Sequence, residues 1–383
     1  MLTTRQTLAT ATRVPPRAGC VCKAGAPVST ASPSTVSCLT GMDLLFSVVG
    51  ANRNVQSSAA PTTALPDAGP HLSWTVACAS RTKEQTMQVV ALIGLGRMGT
   101  PICAKLVQAG YAVRAHDSRE ELKSSAHRVG AVWNDTAAGA AFDADVLITV
   151  LPDSGAVNKS VDQSVLSVLA ANAVWIDMTS NAPQEAALAQ ERARAWSVDV
   201  LEAPLGGNPQ DAAEGKLTVF TAGDPDVAER CRSLLTTIAD PEKLHYLGGP
   251  GAGYTAKLLV NLLWFGQAIA TAEALLLAKR AGIDLVVLRE VLQGSAAATS
   301  FIRHDLPALF AGDYLASYEL DRIHAQLDTI TAYARELGTP HEVAQTVERL
   351  HREALDRYGA VAGELLGVAL LEERAQDHLR AQK

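Results

Sequence analysis

The sequence lacks a long uninterrupted apolar run. Its longest charge-free apolar segment, Leu258 to Ala272, is fifteen residues long and is broken by Asn261, Gln267 and a glycine. A bilayer requires roughly 20 residues, so no membrane span is expected. A basic stripe is also missing: 33 Lys and Arg stand against 40 Asp and Glu, the net charge is −7, and the cations are scattered. Nucleic acid is therefore not an expected partner. The six cysteines, at 20, 22, 38, 78, 103 and 231, show no metal-ligand spacing and no pairing pattern beyond a single Cys20-Val21-Cys22. Reduced thiols in a cytosol-like compartment and no bound metal are the expectation. What the chain does have, 48% hydrophobic and 19% charged residues over 383 positions, fits a soluble globular protein with room for two domains.

The first 86 residues differ from the rest. They are rich in Ser, Thr, Ala and Pro, contain four of the six cysteines, and have no acid before Asp43. An Arg-containing, acid-poor start resembles an organelle transit peptide, which would direct the chain to a mitochondrion or plastid. Against this, Arg5 and Arg13 do not segregate from Leu2 and Leu8 on a helical wheel, and Pro15-Pro16 ends any helix early. The apolar patch "DLLFSVVG" from Asp43 is too short and too late for a secretory signal. The favoured expectation is a disordered leader or a wrongly assigned start, with Met87 as the true beginning of a cytoplasmic protein. From Met87 onward the net charge is about −11.

At Met87 a strand-like run begins, Gln88 to Ile93, followed by Gly94-Leu95-Gly96-Arg97-Met98-Gly99 and an amphipathic helix pattern to Gly110. In such a GxGxxG the first glycine permits a tight turn, the second admits a pyrophosphate to the backbone, and the third lets the helix pack on the strand. The helix N-terminus then offers free amides to the phosphates. A second strand, Tyr111 to His116, ends at Asp117, close to the spacing at which an acid meets the adenosine ribose. A carboxylate there would repel a 2′-phosphate, so NAD is favoured over NADP. Arg119 softens that preference, its alternative role being an ordinary solvated residue at a helix start. Further strands are predicted at 145–151, 173–177, 198–203, 217–222 and near 244–247, separated by Ala-rich helical stretches. This alternation predicts an α/β fold: a Rossmann-type doubly wound, mostly parallel sheet over 87–250. Ligands in such sheets lie beyond the strand C-termini, where Leu151-Pro152 and Thr179-Ser180 fall.

After residue 250 only helical patterns remain, giving an all-α C-terminal domain over 251–383. Residues 252–281 predict one continuous interdomain helix whose surplus apolar surface suggests a subunit interface, hence a homodimer or homotetramer. Further helices are predicted from Asp284, Phe301, Glu319, His341 and Val361. Within the first of these stretches, "GAGYTAKLLVNLLWFG", Lys257 is the one charge. It either snorkels to water or has a chemical role.

Four elements in order, GLGRMG at 94, "LPD" at 151, "APLGGNPQDAAEGKL" from Ala203 and "GAGYTAKLLVN" from Gly251, resemble the β-hydroxyacid dehydrogenase family. That family includes 3-hydroxyisobutyrate dehydrogenase and, more distantly, 6-phosphogluconate dehydrogenase. The likeness covers 87–383, about 297 residues. It implies that Lys257 is the catalytic acid/base and that Asn261, one turn on, shares its face. It implies cofactor contacts from Gly94 to Gly99, Asp117, Leu151, Pro152 and Ser180, and a small substrate, carrying a carboxylate, held by Gly206, Gly207, Asn208 and Thr179. Two departures stand out: Gly206-Gly207-Asn208 replaces the family's Ser-Gly-Gly, and Ala325-Gln326-Leu327 replaces its Lys-Asp-Leu, with Arg322 or His324 as neighbouring stand-ins. Both argue for a substrate other than 3-hydroxyisobutyrate. The expected activity is NAD(P)-dependent hydride transfer between the cofactor and a small β-hydroxy acid or its semialdehyde. An imine reductase shares this architecture but typically carries Asp or Tyr at the lysine position. A non-catalytic dinucleotide-binding sensor would explain the departures, though not the retained Lys257 and Asn261.

Overall fold

The computed structural model describes residues 89–381. The expectations for residues 1–86, for Met87 and Gln88, and for Cys20, Cys22, Cys38 and Cys78 lie outside them.

The chain alternates strand and helix as far as Tyr246. It runs β1 (Val89–Ile93), α1 (Gly99–Gln108), β2 (Ala112–His116), α2 (Lys123–Arg128), β3 (Val132–Trp133), α3 (Ala137–Ala141), β4 (Val146–Thr149), α4 (Ser154–Ser160), α5 (Gln163–Leu166) and β5 (Val174–Asp177). It continues through α6 (Glu185–Arg194), β6 (Asp199–Glu202), β7 (Leu205–Gly206), α7 (Pro209–Glu214), β8 (Leu217–Gly223), α8 (Pro225–Leu235) and β9 (Ala239–Tyr246). The strands form one sheet in the order β3-β2-β1-β4-β5-β6-β8-β7, with β9 also on β8. From β3 to β6 all pairs are parallel, and β8 turns antiparallel to β6.

The short apolar runs become strands because each is covered on both faces. Along β4, Ile148 packs with Leu92 and Ile176 on one side, while Leu147 packs with Ile93 and Trp175 on the other. The order reverses between β1 and β4, which puts the crevice for a ligand beyond their C-terminal ends. Two strands were not legible: β3 and β7 are two residues each, too short for any period. Nor was the start of β9, where Asp240, Glu242 and Lys243 hide the strand pattern.

From Ala252 every remaining element is helical except one isolated bridge between Glu319 and Ala362. The helices are α9 (Ala252–Arg280), α10 (Leu285–Gln293), a π-helical turn at Phe301–Asp305, α11 (Leu306–Ala311), α12 (Leu320–Glu336), α13 (Glu342–Tyr358) and α14 (Leu366–Ala375). The last begins five residues later than Val361, because the bridge and the left-handed Gly359 hold that segment extended. At 29 residues α9 is roughly 44 Å long. By length and composition it could cross a bilayer. Here it is the central helix of the helical part, packed against α12, α13, α14 and β8. Its other face leaves Leu259, Val260, Leu263 and Leu277 exposed. Cys103 and Cys231 are free and buried, and burial pushes both thiols up to about 12.

Candidate active site

The glycine loop joins β1 to α1. A Cβ on Gly94, where φ is +103°, would lie 2.3 Å from the Val150 carbonyl oxygen, and one on Gly99 would lie 1.9 Å from the Gly94 carbonyl. Both positions exclude any side chain. Gly96 has open space instead, its nearest neighbour being an Arg119 Nη at 3.7 Å, and it lines a cleft of about 500 Å³ with Leu95, Arg97 and Arg119. The first turn of α1 carries no acid and no side-chain cap; the Thr100 amide is engaged by the Gly96 carbonyl at 3.1 Å and Pro101 has no N–H, so an anion would meet the backbone at the start of that turn. This cradle fits the pyrophosphate of a dinucleotide.

At the end of β2, Asp117 is 7% exposed and fully engaged. Its carboxylate accepts from the Leu95 amide at 2.8 Å, the Arg119 amide at 2.9 Å, and the Arg119 Nε and Nη at 3.0 Å each. Burial would raise its pKa, but the hydrogen bonds from Arg119 and Leu95 outweigh that and hold it below the usual carboxylate range. Arg119 is thus not a plain solvated residue. It folds over the carboxylate and keeps its guanidinium half-exposed in the cleft.

At the ends of β4 and β5 the Leu151 amide donates to Thr179 Oγ1 at 3.2 Å, which locks two of the expected cofactor-side turns together. Thr179 is 1% exposed, and its hydroxyl oxygen, accepting from Leu151, braces the cofactor-side turn. Ser180 is half-buried beside it and Pro152 is exposed.

The glycine turn before α7 has a Cβ-excluding geometry at Gly207, where φ is +114° and Asp211 Oδ2 would be 2.9 Å away. Asn208 caps α7: its Oδ1 accepts from the Gln210 and Asp211 amides at 2.8 and 3.1 Å, and Asp211 returns a bond to the Asn208 amide. The side-chain amide nitrogen of Asn208 is what remains to meet a ligand. Pro209 and Gln210 line the same cleft as Gly96, which sets this turn beside the cofactor cradle.

Lys257 lies in the second turn of α9, half-buried. Burial pushes its ammonium down to about 8, with the nearby Glu364 carboxylate opposing the shift. Glu364 is itself raised to about 7 by burial and by Asp305, against Lys257 and Arg97. Ser317 donates to Glu364 through its hydroxyl, and Arg97 Nη1 donates to the Ser317 and Ala316 carbonyls at 2.9 and 3.3 Å. Hydrogen bonds therefore run from the glycine loop through Arg97 and Ser317 to Glu364, whose charge acts on Lys257 through space. Sequence reading missed Glu364 and Ser317, which lie in loops with no motif of their own.

Asn261 donates to Gln326 Oε1 at 2.5 Å, and Gln326 donates to Tyr318 Oη at 2.5 Å, so the residue in the family's Asp place orients the asparagine. Ala325 contributes no charge. Arg322 pairs with Glu319 at 2.8 Å and His324 with Glu348 at 3.0 Å, which leaves neither as a stand-in for the missing lysine.

Comparisons with known proteins bear on the family and the cofactor. A sequence-family model described as the NAD binding domain of 6-phosphogluconate dehydrogenase matches residues 89–248, and one described as NAD-binding of NADP-dependent 3-hydroxyisobutyrate dehydrogenase matches 251–369. An NAD-dependent L-serine dehydrogenase of Pseudomonas aeruginosa is 32% identical over 212 residues, 55% of this chain and 70% of that protein. The 3-sulfolactaldehyde reductase of Escherichia coli is 27% identical over 273 residues, 70% of this chain and 90% of that one. The solved structure of Mycobacterium tuberculosis 3-hydroxyisobutyrate dehydrogenase with L-serine superposes with a TM-score of 0.69 at 26% identity, over 75% of this chain and 99% of that one. The chain belongs to the β-hydroxyacid dehydrogenase family and is an NAD(P)-dependent oxidoreductase of small hydroxy acids.

Proposed function

We propose that Lys257 is the general acid/base of the reaction. In the oxidative direction its neutral amine takes the proton of the substrate hydroxyl; in the reductive direction its ammonium returns a proton to the carbonyl oxygen. A nicotinamide dinucleotide whose pyrophosphate the glycine loop would hold would supply the other half of the chemistry, as acceptor or donor of hydride. The observation that carries this reading is the lysine's place in an otherwise apolar helix, its pKa lowered to about 8, so that both protonation states are available near neutrality. Asn261, fixed by Gln326, presents its carbonyl oxygen on the same face one turn on. The backbone of Gly206 and Gly207 and the amide nitrogen of Asn208 hold the substrate carboxylate. Asp117 supports NAD as the preferred cofactor, with Arg119 able to receive a 2′-phosphate.

The test is turnover of the full chain on small hydroxy acids and semialdehydes with NAD and NADP. Activity should fall ~100- to 10,000-fold in Lys257→Met while cofactor affinity is retained, and wild-type kcat for oxidation should rise with pH through about 8, where the lysine loses its proton. Intact turnover in the variant defeats the reading; binding of cofactor without turnover on any substrate favours a sensor.

The exposed apolar residues of α9, with Val286, Val287 and Val291 of α10, support a homodimer or homotetramer. Sedimentation as a monomer at micromolar concentration refutes this.

A further inference from the structure

The N-terminus of α9 is unusual for a long helix. Its cap, Gly251, has no side chain to offer, no acid stands in the first turn, and the amides point into the protein. The missing acceptor comes from the sheet. Glu202, the last residue of β6 and 2% exposed, accepts from the Gly251 amide at 2.5 Å on one oxygen and from the Gly253 and Tyr254 amides at 3.1 and 3.3 Å on the other. A carboxylate on three amides at a helix N-terminus complements the positive end of the macrodipole. Gly253 permits this approach, since a Cβ there would lie 2.6 Å from the Phe220 carbonyl oxygen.

The register partner of Glu202 on the adjacent strand is Asp177, 1% exposed. Its Oδ2 accepts from Tyr254 Oη at 2.7 Å and from Asn181 Nδ2 at 2.5 Å, and its Oδ1 accepts from Thr149 Oγ1 at 2.7 Å and the Thr179 amide at 3.1 Å. Burial raises the pKa of both carboxylates, partly offset by these bonds. Two buried acids side by side are costly for stability alone. They join the cofactor-side turn at Thr179 to the residue one helical turn before Lys257.

We propose that Glu202 and Asp177 are positioning residues for the reaction: they clamp the first turn of α9 to the ends of β6 and β5 and thereby set where Lys257 Nζ stands relative to the cofactor-side turns at Leu151 and Thr179. This rests on the reading of Lys257 as acid/base. The two acids act through the helix and through Tyr254, without touching the substrate.

The test uses Tyr254→Phe, which removes one hydrogen bond and keeps the ring, and Glu202→Gln, which turns an amide nitrogen toward amides that need an acceptor. In Tyr254→Phe, kcat should fall ~10- to 100-fold, as for a misplacement of a catalytic group, with cofactor Kd and substrate KM changed less than about threefold. The Tyr254→Phe substitution should then have no further effect on the residual rate of Lys257→Met, because residues that act as a unit are not additive. If Glu202→Gln does not fold, Tyr254→Phe alone decides the matter. Folded, cofactor-binding variants with wild-type kcat, or losses that multiply in the double variant, overturn the positioning role while leaving Lys257 intact. Turnover at the wild-type rate in Lys257→Met alone overturns the underlying assignment instead.

Discussion

The two ends of the ligand crevice are built differently. At the cofactor end, Gly94 to Gly99 and Asp117 lie within one βαβ unit, and each residue's role follows from its own backbone geometry: a turn, an approach, a packing contact. At the proposed substrate end, Gly206-Gly207-Asn208, Lys257 with Asn261 on α9, and Glu364 come from three separate parts of the chain, and both asparagines do a second structural task. Asn208 caps α7 and Asn261 is tied to Gln326. A site assembled from distant pieces can change its substrate by altering one loop, whereas the dinucleotide cradle tolerates almost no change. The relatives this chain resembles carry the names of different substrates.

The contrast can be broken most sharply at Gly94. Gly94→Ala forces a Cβ against the Val150 carbonyl at a positive φ, which should cost about 3 kcal/mol or more. Calorimetry should show a large drop in Tm and titration a loss of cofactor binding; a variant matching wild type in both would mean the loop is softer than its geometry implies. A smaller effect is expected at the other end. Asn208→Asp keeps the helix cap, since Asn and Asp cap about equally well, but replaces the donor nitrogen with an oxygen that repels a carboxylate. Substrate KM should rise ~10-fold or more with Tm unchanged, as for loss of a hydrogen bond to a charged group. An unchanged KM would leave Asn208 a cap only.

Much of the fold was readable in advance because it depends on local pattern. Strands β1, β2, β4, β5 and β6 and helix α9 all lie within a few residues of their expected places, as period and composition are properties of neighbours in sequence. The short β3 and β7 escaped because two residues carry no period. Thr179 was singled out by the family resemblance; that its hydroxyl oxygen accepts from the Leu151 amide on the neighbouring strand end is a tertiary fact no local pattern carries. The missing family lysine has no evident replacement nearby, because Arg322 pairs with the exposed Glu319 and His324 with the buried Glu348.

Sequence alone determined that this chain folds as a dinucleotide-binding sheet followed by a long helix, and that Lys257 lies near the start of that helix. Glycine positions, apolar periodicity and the spacing from Gly94 to Asp117 are all counted along the chain. Only the tertiary structure decided what surrounds the lysine. The desolvation that lowers its pKa, the Glu364 carboxylate 107 positions away and the clamp of Glu202 and Asp177 on α9 arise from packing between segments remote in sequence. Electrostatics and hydrogen bonding depend on distance through space, and that distance exists only once the sheet and the helices have closed on each other.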